Sequence, residues 1–133
     1  MSEAKGQCLC GAVRFRLAGE KRPVVVCHCG QYRRWHGHVG AYTRVPLSAL
    51  TVEDERSLAW YRSSERARRG FCRECGSSLF WERIGNDHVS VAAGTLAAPT
   101  GLETVLQIFA EDAGDYYEID DRIPTRPPVS AAG

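Results

Sequence analysis

No stretch of the 133-residue sequence approaches the roughly 20 consecutive apolar residues that a membrane span needs. The opening Met1-Ser2-Glu3-Ala4-Lys5-Gly6-Gln7 has no apolar run, so it does not read as a secretory leader. Charge of one sign is also missing. Seventeen Lys+Arg against 16 Asp+Glu leave a net +1, and no global field draws the chain to nucleic acid or a membrane surface. There is no internal repeat and no low-complexity block, and little of the sequence shows helical periodicity. What remains is ordinary: 44% hydrophobic and 25% charged residues, which argues against disorder. The length suits one domain able to bury a core unaided. The expectation is a cytoplasmic monomer or homodimer with no nucleic-acid or membrane partner.

Strand signals dominate. Val13, Phe15 and Leu17 alternate with Arg14 and Arg16, the pattern of a half-buried strand. Pro23-Val24-Val25-Val26 is a β-branched run leading into Cys27. Val39 to Val45 reads as a strand stopped by Pro46, and residues 57–62 alternate again. Leu79-Phe80-Trp81 and His88-Val89-Ser90-Val91 flank Gly85-Asn86-Asp87, a hairpin signal. Val105 to Ala110 is the last strong strand. Single helical turns are expected at Pro46–Leu50 and Leu96–Ala98. Many short strands with frequent turns indicate a mainly-β fold with little helix. The domain is read as residues 1–121. Residues 122–133, with Pro124, Pro127 and Pro128, are read as an extended Pro-rich tail.

Charge is unevenly placed. Residues 1–73 hold 14 basic and 6 acidic side chains (+8), and residues 74–133 hold 3 and 10 (−7). The plain reading is two solvated faces of one domain. A sharper one is that arginines such as Arg33, Arg34, Arg68 and Arg69 hold a carboxylate ligand.

Six cysteines fall in three pairs: Cys8-Leu9-Cys10-Gly11, Cys27-His28-Cys29-Gly30 and Cys72-Arg73-Glu74-Cys75-Gly76. In a reducing compartment they stay thiols, so a disulfide framework is not expected. A C-x-x-C-G knuckle turns two thiolates into one hollow, which is half a tetrahedral zinc shell. C-x-C-G at the start of a strand can supply the other half. Cys8, Cys10, Cys72 and Cys75 therefore read as a closed structural zinc site with no open, catalytic position. Cys27 and Cys29, two residues apart, face one way on an extended backbone while His28 faces the other.

The three motifs occur in the order Cys8-Leu9-Cys10-Gly11-Ala12-Val13-Arg14-Phe15, Cys27-His28-Cys29-Gly30-Gln31-Tyr32-Arg33-Arg34-Trp35 and Arg69-Gly70-Phe71-Cys72-Arg73-Glu74-Cys75-Gly76-Ser77. With Gln107-Ile108-Phe109 and Gly114-Asp115-Tyr116-Tyr117 behind them, they resemble the glutathione-dependent formaldehyde-activating enzyme family, also called the centromere-protein-V/formaldehyde-activating domain. The resemblance implies a β-tent fold of short antiparallel sheets with zinc knuckles. It implies a second, catalytic zinc on the C-H-C-x-x-C cysteines, making Cys27 and Cys29 catalytic. It further implies a carbon–sulfur lyase acting on thiol–aldehyde adducts, with glutathione and formaldehyde as the named example. The substrate's carboxylates would want guanidinium partners, and Arg33 and Arg34 lie beside the site in sequence.

Two positions depart from the family pattern. Tyr32 stands where the signature has its third cysteine, and a phenol is a poor zinc ligand at neutral pH. Three outcomes stay open for Cys27 and Cys29: free thiols, zinc held weakly and completed by solvent or substrate thiolate, or zinc completed by His36 or His38. The first is favoured, so one structural zinc is expected and the second site is read as impaired by Tyr32. Gln107 stands where the family often has His, and it cannot shuttle a proton. The competing functional reading is a zinc-stabilised binding module without turnover.

Overall fold

The computed structural model describes residues 3–126. Among the described residues, ten strands form two sheets, and there is one α-helix. The smaller sheet has the order β1-β2-β5, from Ala4–Gln7, Arg14–Leu17 and Leu50–Val52. The larger holds β3 (Val24–Cys27), β4 (Gly40–Pro46), β6 (Leu58–Arg62), β7 (Ala67–Cys72), β8 (Ser78–Arg83), β9 (His88–Ala92) and β10 (Thr104–Ile108). Its order is β10-β3-β4-β9-β8-β7-β6. Only the β10–β3 pair is parallel; the other pairs are antiparallel. The fold is mainly β, and no helix among the described residues is long and apolar enough to cross a membrane.

Alternation on β2 sends Phe15 and Leu17 inward and Arg14 out, as the period-2 pattern requires. Those side chains meet Val45, Leu79, Phe80, Val89 and Val91 from the larger sheet, all almost fully buried. Phe15 and Phe80 pack edge to face with centroids 5.0 Å apart. Cys8 and Cys72 belong to this same buried cluster, so the first and third cysteine motifs meet at the edge of the core.

The hairpin of β8 and β9 forms around Gly85 as the turn chemistry indicates, and the 3-10 turn at Leu47–Ala49 falls where Pro46 ends β4. The second such turn lies at Ala93–Thr95, a few residues before the expected Leu96–Ala98. The elements not foreseen include the strands β1, β5 and β7 and the helix α1, Gly30–His36. Cys29 lies just beyond β3 with its backbone still extended (φ −68°, ψ 161°). It caps α1, its Sγ accepting the Tyr32 N–H at 3.3 Å, and Gly37 ends the helix in left-handed backbone at φ 82°. Residues 122–126 lie against β10: Thr125 bridges Gln107, and the Gln107 N–H donates to the Pro124 carbonyl at 2.9 Å. Residues 127–133 of the expected tail, Pro127 and Pro128 included, lie outside the described residues.

Candidate metal centre and cysteine-lined cleft

The first and third cysteine motifs fold as opposed knuckles. Gly76 sits at φ 82°, which only glycine adopts without strain, and its N–H donates to the Cys72 carbonyl at 2.8 Å to close the C-x-x-C turn. The sulfurs of Cys8, Cys10, Cys72 and Cys75 all lie within 4.8 Å of one another. Cys8 and Cys10 are 3.7 Å apart, and Cys10 and Cys72 are 3.8 Å apart. A tetrahedron of sulfurs ~2.3 Å from zinc has edges of ~3.8 Å, so these spacings match a four-thiolate zinc shell. All six cysteines are free thiols.

Backbone N–H groups are already turned toward the sulfurs. Val13 donates to Cys8 and Glu74 to Cys72, each at 3.3 Å. The Ser77 hydroxyl, 3.1 Å away, holds the Cys75 thiol well below its ordinary range, at about 5. Cys10 is pushed up to about 12: the Ala12 N–H favours its thiolate, but desolvation and the other three sulfurs outweigh it. Four thiolates at this spacing repel one another, and the positive charge of a divalent cation would offset that repulsion and allow all four to be deprotonated. The donor set fits such an ion.

Cys27 and Cys29 lie elsewhere. They line a cleft of about 580 Å³ on one face of the larger sheet. Residues paired across an antiparallel sheet share a face. Arg44 on β4 pairs Ser90 on β9, Ser90 pairs Trp81 on β8, and Trp81 pairs Arg69 on β7, so one row crosses four strands and floors the cleft. Cys27 is two residues beyond Val25, which pairs Tyr42 in the adjoining row. Arg69, 2% exposed, lays its guanidinium 4.3 Å over the Tyr32 ring and 5.8 Å from that of Trp35. A hydrogen bond with Cys27 lowers the Cys29 thiol to about 6, helped by N–H groups of α1 and the Arg69 charge; Cys27 rises in exchange.

Tyr32, on the first turn of α1, packs among aromatic rings. Its ring stacks on Tyr42 (5.3 Å, 12°) and meets the edge of His36 at 5.3 Å. Gly40 admits the cluster: a Cβ there would stand 2.9 Å from Tyr32 and 3.0 Å from Tyr42. Burial pushes the Tyr32 phenol further above neutrality. His36 shares a hydrogen bond with the Tyr42 hydroxyl at 2.9 Å, and burial pulls its pKa down to about 4. His38 bonds Tyr116 at 2.7 Å. Among the described residues, no third His, Cys, Asp or Glu gathers with Cys27 and Cys29, so neither histidine completes a metal shell there. Cys27 and Cys29 thus bring two sulfurs together, one fewer than the three protein ligands usual for a catalytic zinc.

Arg33 and Arg34 line no part of the cleft. Arg33 donates to the Asp112 carbonyl at 3.0 Å, and Arg34 is exposed. The arginines that do line it are Arg22, Arg44, Arg69, Arg83 and Arg126. Arg69 carried a local signal, its place beside the knuckle. The others come from separate elements: Arg22 and Arg44 belong to the charge excess of residues 1–73, whereas Arg83 and Arg126 lie outside it.

His28 faces away from the two cysteines, as strand alternation requires. Gln107 donates its amide hydrogens to the Asp120 and Ile123 carbonyls at 2.8 and 3.1 Å. Its Oε1 therefore accepts from His28 Nε2 at 2.8 Å, and His28 Nδ1 accepts from the Tyr117 hydroxyl at 2.5 Å. Gln107 is a scaffold residue that ties the C-terminal loop to β3. Gln107→Leu strands these buried partners and is expected to cost about 2 kcal/mol in urea unfolding, with zinc content unchanged.

The comparisons agree with this architecture. The sequence profile described as glutathione-dependent formaldehyde-activating enzyme matches residues 3–112. An uncharacterized lyase of Schizosaccharomyces pombe is 25% identical over 126 residues, covering 92% of this chain and 89% of that protein. A Halomonas elongata protein, provisionally named as a glutathione-dependent formaldehyde-activating enzyme, is 26% identical over 131 residues, with 89% and 82% covered. A crystal structure of a Rhodobacter sphaeroides protein superposes with a TM-score of 0.58 at 25% identity, covering 92% of this chain and 99% of that one. Three cysteine motifs in order, two of them closed into one four-sulfur cluster and the third opening on a cleft, accompany a profile match over most of the chain, which belongs to the glutathione-dependent formaldehyde-activating enzyme family.

Proposed function

We propose that this chain makes or cleaves the carbon–sulfur bond of a thiol–aldehyde adduct in the cleft beside Cys27 and Cys29, on a scaffold held by one structural zinc ion. The observation that carries the reading is the separation of the cysteines: four gather their sulfurs into one cluster that could hold an ion, while two others line a cleft. The names of the two relatives, a lyase and a glutathione-dependent enzyme, support the reaction class and a small thiol such as glutathione.

Cys8, Cys10, Cys72 and Cys75 would hold the zinc, which supplies structure and has no open position for chemistry. In the forward direction the substrate thiol gives its proton to the Cys29 thiolate, and its sulfur attacks the aldehyde carbon. The C–S bond forms as the C=O π pair moves to oxygen, and that oxygen takes the proton back from Cys29. The reverse sequence releases aldehyde and thiol. The Arg69 guanidinium stabilises negative charge beside these sulfurs throughout.

Metal analysis tests the reading. Native protein is expected to carry about one zinc per chain, and Tyr32→Cys about two, because the substitution restores a three-sulfur site. Two zinc ions in the native chain would overturn the structural-only assignment. The packing of Tyr32 favours one alternative, a binding module without turnover. Thiol–formaldehyde exchange followed by NMR separates the two: exchange lost in Cys29→Ser supports the enzyme, and no exchange by the native protein supports the module.

A further inference from the structure

Two consecutive arginines on β7 are treated differently by the fold. Arg68 turns to one face of the strand, bonds Glu82 Oε1 at 2.5 Å and lies 3.8 Å over the Trp60 ring. Arg69 turns to the other face and is more deeply buried, yet it has no carboxylate. Its Nη2 donates to Gln31 Oε1, while Nε and Nη1 find no acceptor. The Tyr32 and Trp35 rings beside it soften the burial of its charge. A buried cation left in this state is costly, and buried charges are normally paired.

Its surroundings add positive charge. Arg44 and Arg83 share the face of Arg69, and Arg22 and Arg126 complete the lining, against the single carboxylate of Asp112. None of the five arginines forms an ion pair among the described residues. Burial, followed by the Arg44 charge, pulls the Arg22 pKa down, which reflects the crowding of cations there. We propose that the cleft is an oxyanion receptor in which Arg69, with Arg44 and Arg83 on the same sheet face, holds a carboxylate or phosphate group of the ligand next to Cys27 and Cys29. The guanidinium thereby supplies positive charge beside sulfurs that lack a complete metal shell. The receptor rests on the lyase reading only for the identity of the rest of the ligand.

The test is calorimetric titration of the zinc-loaded protein with inorganic phosphate and, separately, with succinate at low ionic strength. At least one anion is expected to bind, and the tighter of the two identifies the group the site takes. Arg69→Gln is expected to weaken that binding roughly tenfold or more, whereas Arg56→Gln, at an exposed arginine paired with Asp54, leaves it unchanged. No binding of either anion overturns the proposal, as does full affinity in a folded Arg69→Gln. Should Arg69→Gln fail to fold, Arg44→Gln/Arg83→Gln keeps the Arg69 stack. A similar weakening there supports the receptor, and unchanged affinity overturns it. Anion binding without thiol–aldehyde exchange keeps the receptor and removes the lyase reading; exchange without anion binding does the opposite.

Discussion

Cys72→Ser is expected to leave the purified chain with under about a tenth of its zinc and no cooperative thermal unfolding transition. Cys72 is fully buried and belongs to both the metal shell and the apolar cluster. The shell joins Cys10 to Cys72 across 62 positions, pinning the N-terminal knuckle to the end of β7. Structural zinc contributes roughly 10–16 kcal/mol in small domains, as much as the whole stability of a typical one, ~5–15 kcal/mol. Removing one thiolate forfeits most of that and leaves three sulfurs crowded at the core edge. Metal analysis with circular dichroism melting checks the result. A variant that melts within a few degrees of the native protein would show that the knuckles hold without the ion.

Phe80→Ala is expected to destabilise the protein by about 3–5 kcal/mol in urea, with the slope of the transition unchanged. Phe80 is fully buried on β8, touches Phe15 of the smaller sheet edge to face and stacks on Trp60 at 6.1 Å. Its ring links the two sheets through Phe15, and neighbours fixed in sheet hydrogen bonds cannot readily collapse into the gap. A loss below about 1 kcal/mol would mean that the two sheets do not depend on that contact.

The elements legible in the sequence were those whose burial writes itself as alternation. β2 and β6 read this way, β4 was marked by its stop at Pro46, and the β8–β9 hairpin was marked by Gly85-Asn86-Asp87. α1 was not legible because it buries no residue fully and has no apolar stripe. It is held by its ends, Cys29 and Gly37, and by Trp35, whose indole N–H donates to Ser78 at 2.9 Å. β7 hid behind Arg68, Arg69 and Gly70, which read as polar and flexible, although Arg69 is buried. The four-sulfur cluster was legible because zinc dictates ligand spacing along the chain. The arginines of the cleft were not, because sheet register brings Arg44, Arg69 and Arg83 together and no local pattern records register.

The long span between the two knuckles also affects how the protein is born. A ribosome extends a chain at roughly 5–20 residues per second, so Cys10 emerges some 3–12 seconds before Cys72. Throughout that interval the nascent N-terminus displays two bare thiols that no partner motif can cap. An ion held by all four sulfurs could therefore be completed only late in synthesis, once the second knuckle has emerged.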